Sequence, residues 1–205
     1  MNVINRILGE AMTPEQVAIY KNPEKACAWA TTHHQRFPEA EPCMAKSPEW
    51  AFFYAVDVLR GRWPEAEPAI AKSPEWAYNY ALYVLKGRWP EAESTIAESP
   101  EWAYQYARDV IRGRWPEAEP AMTNRLDWLY FYSRDVLKDR WPEIEPAMAK
   151  NPKWSYFYAK DVIKDRWLEA EEAIANSALK DKYLKLFPSA KDDWALQGWL
   201  GWLDT

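Results

Sequence analysis

Two cysteines, Cys27 and Cys43, are all that 205 residues contain. That is too few for a disulfide framework and suits a reduced compartment. No stretch reaches the ~18 consecutive apolar residues of a membrane span. The opening MNVINRILGEAMTPEQ has no basic segment leading into a long apolar one, as a secretory leader would. The expectation is a soluble, cytoplasmic chain with no membrane partner. Also missing are a phosphate-cradling glycine loop, a dinucleotide fingerprint, a nucleophile elbow and a His-Glu-x-x-His pair. The sequence therefore nominates no catalytic residue and no cofactor. Basic residues are in deficit as well. The net charge is −5, and between 48 and 177 there are 17 basic against 22 acidic residues, while the remainder balances at 9 and 9. Nucleic-acid affinity comes mainly from basic surface, so a nucleic acid is not the favoured partner.

What the chain has in excess is aromatic: 14 Trp and 12 Tyr. They recur with a period. Trp50, Trp76, Trp102, Trp128 and Trp154 are 26 residues apart, and so are Trp63, Trp89, Trp115, Trp141 and Trp167. Such self-similarity at a fixed period marks a repeat array. The spacing divides the chain into an N-terminal cap (1–21), a degenerate repeat (22–47) one residue shorter with Phe37 in the second Trp place, five 26-residue repeats (48–177) and a helical C-terminal cap (178–205), all in one continuous domain.

Each repeat reads as two helices. Ser47, Ser73 and Ser99 are N-cap candidates, followed by Pro at the first helical position and Glu in the first turn. Gly61, Gly87 and Gly113 are placed as C-terminal glycines. Asp139 and Asp165 replace them later, which predicts less relaxed turns there. A second helix of about two turns is expected from Pro64, Pro90, Pro116 and Pro142, with Pro68 tolerated in its first turn. The apolar positions do not alternate, which excludes strands. The predicted fold is all-α, a right-handed α-solenoid of short two-helix repeats with divergent caps.

The most repeated motif is RWPEAE, at 62–67, 88–93 and 114–119 and in near copies at 36, 140 and 166. Glu65 and Glu67 lie two residues apart, about 200° around a helix, and so do not converge as a catalytic pair must. A pair present in every unit also fits packing better than a single active site. The motif reads as a structural joint of Arg62, Trp63, Glu65 and Glu67, repeated through Arg88 and Trp89, Arg114 and Trp115, Arg140 and Trp141, and Arg166 and Trp167. In it Arg closes one helix, Glu opens the next, and Arg pairs with one Glu or the other across the turn or to the next unit. Cys27, His33, His34 and Cys43 cluster near the N-terminus, but their spacing matches no zinc pattern and no metal is expected.

Function in a repeat array is sought where the units differ on a shared face. The outward stripe of the first helices reads Phe53, Val56, Asp57, Arg60, then Asn79, Leu82, Tyr83, Lys86. Later copies place Arg or Lys beside Asp at the second and third of these places, as in Arg108 and Asp109. Phe53, Val56, Leu82 and Tyr83, with Arg108, Arg112 and Phe131 on the equivalent faces, form the candidate site for a protein partner. Contact with a folded-over N-terminal cap is the competing reading of the apolar patch. A second functional reading is a sequestering protein that holds a nucleotide-like or other small ligand in an aromatic-lined groove or dimer seam. The tail WALQGWLGWLDT, with Trp194, Trp199 and Trp202, either seals the last repeat or contacts a second copy in a homo-oligomer.

The units EWAYQYARDVIRGRWPEAEP and SPEWAYNYALYVLKGRWPEAE resemble tandem repeats of uncharacterised phage and bacterial proteins over about 22–177. The resemblance implies helical repeats and, through the phage association, a modulator of a host or defence protein. It carries no activity and no residue roles.

Overall fold

In the computed structural model, residues 12–194 are described, and among them the chain is helical with no strand. It divides into two compact units, Met1–Val110 and Ile111–Thr205. Within the first, the helices Pro48–Tyr54, Pro74–Tyr80 and Pro100–Tyr106 pack each on the next. Within the second, Leu126–Tyr132 packs on Pro152–Tyr158. None of the described helices is long and apolar enough to cross a membrane.

The first helices of four full repeats start at Pro48, Pro74, Pro100 and Pro152, each after a residue of extended backbone, whereas that of the fourth repeat starts at Leu126 after Arg125. The Ser47, Ser73 and Ser99 side chains occupy that N-cap position but accept no capping hydrogen bond, contrary to expectation. Asn22 and Asn151 do cap, accepting from the N–H of Lys25 and Trp154. The longer carboxamide reaches the third helical residue from the same backbone.

The helix then widens. Ala55–Leu59, Ala81–Leu85, Ala107–Ile111, Ser133–Leu137 and Ala159–Ile163 form π-helical turns in which an N–H reaches five residues back. The Arg60 N–H donates to the Ala55 carbonyl, and Gly61 N–H adds a second bond to it at 3.1 Å. Lys86 and Gly87 repeat this on Ala81.

Each turn is closed by a residue in the left-handed region, and here the glycine expectation is corrected. The positive φ falls on Arg60, Lys86, Arg112, Lys138 and Lys164, at 54–60°. Gly61, Gly87 and Gly113 are not left-handed, and a methyl group on Gly87 or Gly113 would meet nothing within 4 Å. Asp139 and Asp165 therefore replace glycine without strain, and each accepts the following Arg N–H at 2.7 Å. A cation at this place complements the negative end of the helix dipole, which offsets part of the cost of the left-handed conformation.

The second helix is also shorter than expected where proline interrupts it. With Pro42, Pro68, Pro120 and Pro146 the helices cover only Glu41–Met44, Glu67–Ile70, Glu119–Met122 and Glu145–Met148. Where Ser94 or Glu172 stands instead, Pro90–Ala97 and Leu168–Ala175 run for eight residues. A proline there has no N–H for the carbonyl four residues back, and its ring crowds that carbonyl. The chain between Trp63 and Glu67 consequently folds as a tight turn, with the Ala66 N–H on the Trp63 carbonyl at 3.0 Å.

Candidate functional site

The RWPEAE joint is built around a tyrosine that belongs to the next repeat. Arg62 donates from Nε and Nη2 to the two Glu67 carboxylate oxygens, at 2.9 Å each. The backbone N–H of Trp63 donates to the Tyr80 hydroxyl at 2.6 Å, and that hydroxyl donates to Glu67 Oε1 at 3.0 Å. The same clasp joins Arg88, Trp89 and Glu93 to Tyr106. It joins Arg140, Trp141 and Glu145 to Tyr158. In the degenerate repeat Arg36, Phe37 and Glu41 close on Tyr54. At 114–119, Arg114 holds Glu119 and the Trp115 N–H reaches Tyr132. The last joint of Arg166, Trp167 and Glu171 takes Tyr183 from the C-terminal segment.

The alternative left open by the sequence is thus resolved at every joint: the second Glu of the motif pairs with Arg, and Glu65 is exposed outside the clasp. The ion pair holds the Glu67 and Glu93 carboxyls below the usual carboxylate range. At Glu171 burial opposes ionisation, but hydrogen bonds from Arg166, Trp194 and Tyr183 outweigh it. Burial foremost pushes the phenols of Tyr132, Tyr158 and Tyr183 up to about 12. Each of these carboxylates is held by a bidentate arginine, which suits joining two repeats.

The two tryptophan ladders occupy different environments. Trp63, Trp89, Trp115, Trp141 and Trp167 are buried at the joints, 2–5% exposed. Trp50, Trp76, Trp102, Trp128 and Trp154 are only half-buried and run along the first-helix face. There Trp76, Trp102 and Trp154 each meet a ring from the preceding repeat, in the contacts Phe52–Trp76 and Tyr78–Trp102 in the first unit and Tyr130–Trp154 in the second.

A second polar ladder, invisible in the stripe reading, crosses this face. The Tyr78 hydroxyl donates to Asp109 at 2.8 Å, and Tyr130 to Asp161 at 2.6 Å. One repeat earlier than Tyr78 and Asp109 stand Phe52 and Tyr83, whose rings are 6.3 Å apart. Both members of the pair have changed, and the hydrogen bond has become an aromatic contact. Tyr83 is left 58% exposed. Phe53, Val56 and Leu82 are half-buried, not fully outward: Phe53 packs against Trp50, Phe52 and Trp76, and Val56 and Leu82 lie in the widened turns, which depart from a regular 3.6-residue stripe. Arg108 lies in the same unit, whereas Arg112 and Phe131 belong to the second.

Arg108 and Arg134 themselves fold back onto their own helices. Arg134 places its guanidinium 5.2 Å from the Tyr130 ring centre and 5.1 Å from that of Phe131, while Nε and Nη2 grip the Asp135 carboxylate at 2.6 and 2.7 Å. Arg108 does the same on Tyr104 and Asp109.

The remaining candidates are taken up locally. His33 stacks on Trp29, with ring centres 4.3 Å apart, and the Cys43 thiol donates to the Lys21 carbonyl at 3.0 Å. Cys27 is buried, and burial foremost pushes its thiol up to about 11. No group of three His, Cys, Asp or Glu side chains able to hold a metal occurs among the described residues. Trp194 donates to Glu171 at 2.9 Å and stacks on Tyr183 at the last joint. Trp199 and Trp202 lie outside the described residues. Shallow grooves also run between successive second helices, of about 540 Å³ beside Trp63 and about 690 Å³ beside Trp167. Compared with known proteins, the chain matches no family model, no curated protein and no solved structure.

Proposed function

We propose that the protein is a non-catalytic helical-repeat scaffold, a right-handed stack in each unit, that binds a protein partner through the first-helix face around Phe53, Val56, Leu82 and Tyr83. The observation that carries this reading is the exchange of a part-buried Tyr–Asp hydrogen bond for the Phe52–Tyr83 pair, which leaves an aromatic side chain 58% exposed. Neighbouring repeats show that the fold has a polar solution for the same two positions. Large aromatic groups on a charged rim are the usual anchors of protein interfaces. The phage association would supply a host or defence protein as the partner.

The test uses the repeats' own chemistry. Phe52→Tyr with Tyr83→Asp restores the polar pair, and the variant keeps the native melting temperature. Immobilised native chain should retain a partner, identified by mass spectrometry, that the double variant loses by at least about 30-fold, as expected for a ~2 kcal/mol anchor. Equal retention by both chains refutes this surface as the site.

A further inference from the structure

The folded-back arginines supply a template for what the first full repeat lacks. In the fourth full repeat the set is Tyr130, Phe131, Arg134 and Asp135, with the guanidinium over both rings and bidentate on the carboxylate. Exactly three repeats earlier by number stand Phe52, Phe53, Val56 and Asp57. The two rings are present with their centres 5.3 Å apart, the same separation as Tyr130 and Phe131. The carboxylate is present and exposed. Only the cation is missing, replaced by a valine.

Among the described residues Asp57 makes no ion pair and accepts no hydrogen bond. Its equivalents have both kinds of partner in the chain: Asp109 holds Arg108 and receives Tyr78, and Asp161 lies 3.6 Å from Lys160 and receives Tyr130. The residue in the tyrosine place opposite Asp57 is Cys27, a weak donor. The second full repeat has Leu82 and Tyr83 at the two charged places and so lacks both cation and carboxylate. Arg60, three residues beyond Asp57, does not set this repeat apart, because Arg112 and Lys138 stand at the same place beside the filled sites.

We propose that Phe52, Phe53 and Asp57, flanked by Tyr83, form a receptor for the guanidinium of an arginine carried by the partner. This rests on the protein-binding reading above and names the chemistry of the anchor. A guanidinium fits for physical reasons: it stacks flat on aromatic faces and presents two parallel N–H donors to a carboxylate. An ammonium ion offers the charge without the fork, and Lys160 accordingly sits farther from Asp161 than the arginines do from their aspartates. Val56 is the substitution that opens the place, since an arginine there would fill it from within.

The experiment needs no partner. Nα-acetyl-arginine methylamide is titrated into the full chain and followed by backbone amide shifts, with the acetyl-lysine analogue in parallel. The arginine probe should shift residues 52–57 and 83, at least about threefold more tightly than lysine. Asp57→Asn, an exposed and fold-neutral change, should weaken it at least about fivefold. Val56→Arg should abolish probe binding and raise the melting temperature, and the rise should vanish in combination with Asp57→Asn. Three results overturn the proposal: no shift at these residues, equal affinity in the Asp57→Asn chain, or binding that emerges only after Arg6→Ala, which would mean that the chain's own N-terminal segment fills the place. Loss of partner capture with probe binding intact would instead count against the protein-binding reading alone.

Discussion

The degenerate repeat at 22–47 and the first full repeat solve the same problem with different amounts of chain. Both end their first helix on a left-handed residue, His34 at φ 52° and Arg60 at φ 54°. The first does so after Pro23–His33, α-helical throughout, and the Gln35 N–H bonds to Ala30, five residues back. The second needs the additional turn Ala55–Leu59, and the equivalent Gly61 N–H bonds to Ala55, six back. The one-residue difference in repeat length is therefore the inserted residue of a π turn. Beyond it the two copies converge, since Arg36, Phe37, Glu41 and Tyr54 make the same clasp as Arg62, Trp63, Glu67 and Tyr80. The insertion changes the end of a helix and leaves the seam between units untouched.

The largest effect should come from attacking what the two copies share. Tyr54→Phe and Tyr80→Phe each strand a buried backbone N–H, at a cost of about 1–3 kcal/mol in urea melts. The two losses should agree within about 0.5 kcal/mol, and a much smaller cost at Tyr54 would break the equivalence. Acid should act on the same parts. The Glu67, Glu93 and Glu171 carboxyls are depressed in the folded state, so their stabilisation is full above the ordinary carboxylate value and disappears as pH falls through and below it. Denaturant midpoints measured against pH should therefore drop steeply below about pH 4, and a flat profile would mean that the clasps contribute nothing. Next come the left-handed residues: Lys86→Gly and His34→Gly should each stabilise by about 1 kcal/mol. Gly87→Ala should gain about 0.4–1 kcal/mol through the unfolded chain, and a loss there would restore the glycine to a conformational role. The smallest effect belongs to inserting a valine after Thr32, which should convert the short copy's ending to a π turn, visible in backbone amide shifts, with stability changed by about 0.5 kcal/mol or less.

Period, helix starts and the all-helical class were legible because they rest on positions that repeat: Trp at every twenty-sixth residue and Pro at the first helical place. The short copy's missing residue was equally visible, but neither the full repeat's ending, Asp57 to Arg60, nor the short copy's, Thr31 to His34, carries a residue type that marks one turn as π and the other as regular. The glycine assignment failed because propensity points to glycine for a left-handed φ, while here the dipole-complementing cation takes it and glycine follows. The ring of the clasp tyrosine is core, as Tyr80 beside Trp89 shows, and only coordinates reveal that its hydroxyl belongs to a seam seventeen residues back. At the candidate face, the departures at Phe53, Val56, Leu82 and Tyr83 were plain in the stripe, whereas the paired loss at Phe52 and Tyr83 spans 31 residues and needs the fold to bring it together.

The clasp always joins a motif in one copy to a tyrosine in the following copy, never to its own. Any block of 26 residues can therefore be excised or duplicated, and the severed half of one seam meets a matching half from another. Only the end fittings must be kept: Phe37 in place of Trp at the start, and at the finish Tyr183, which sits sixteen residues past Trp167 where the others sit seventeen. Copy number is thus open to change by unequal recombination within the gene without inventing a new clasp, while the two ends remain the parts that such events cannot supply.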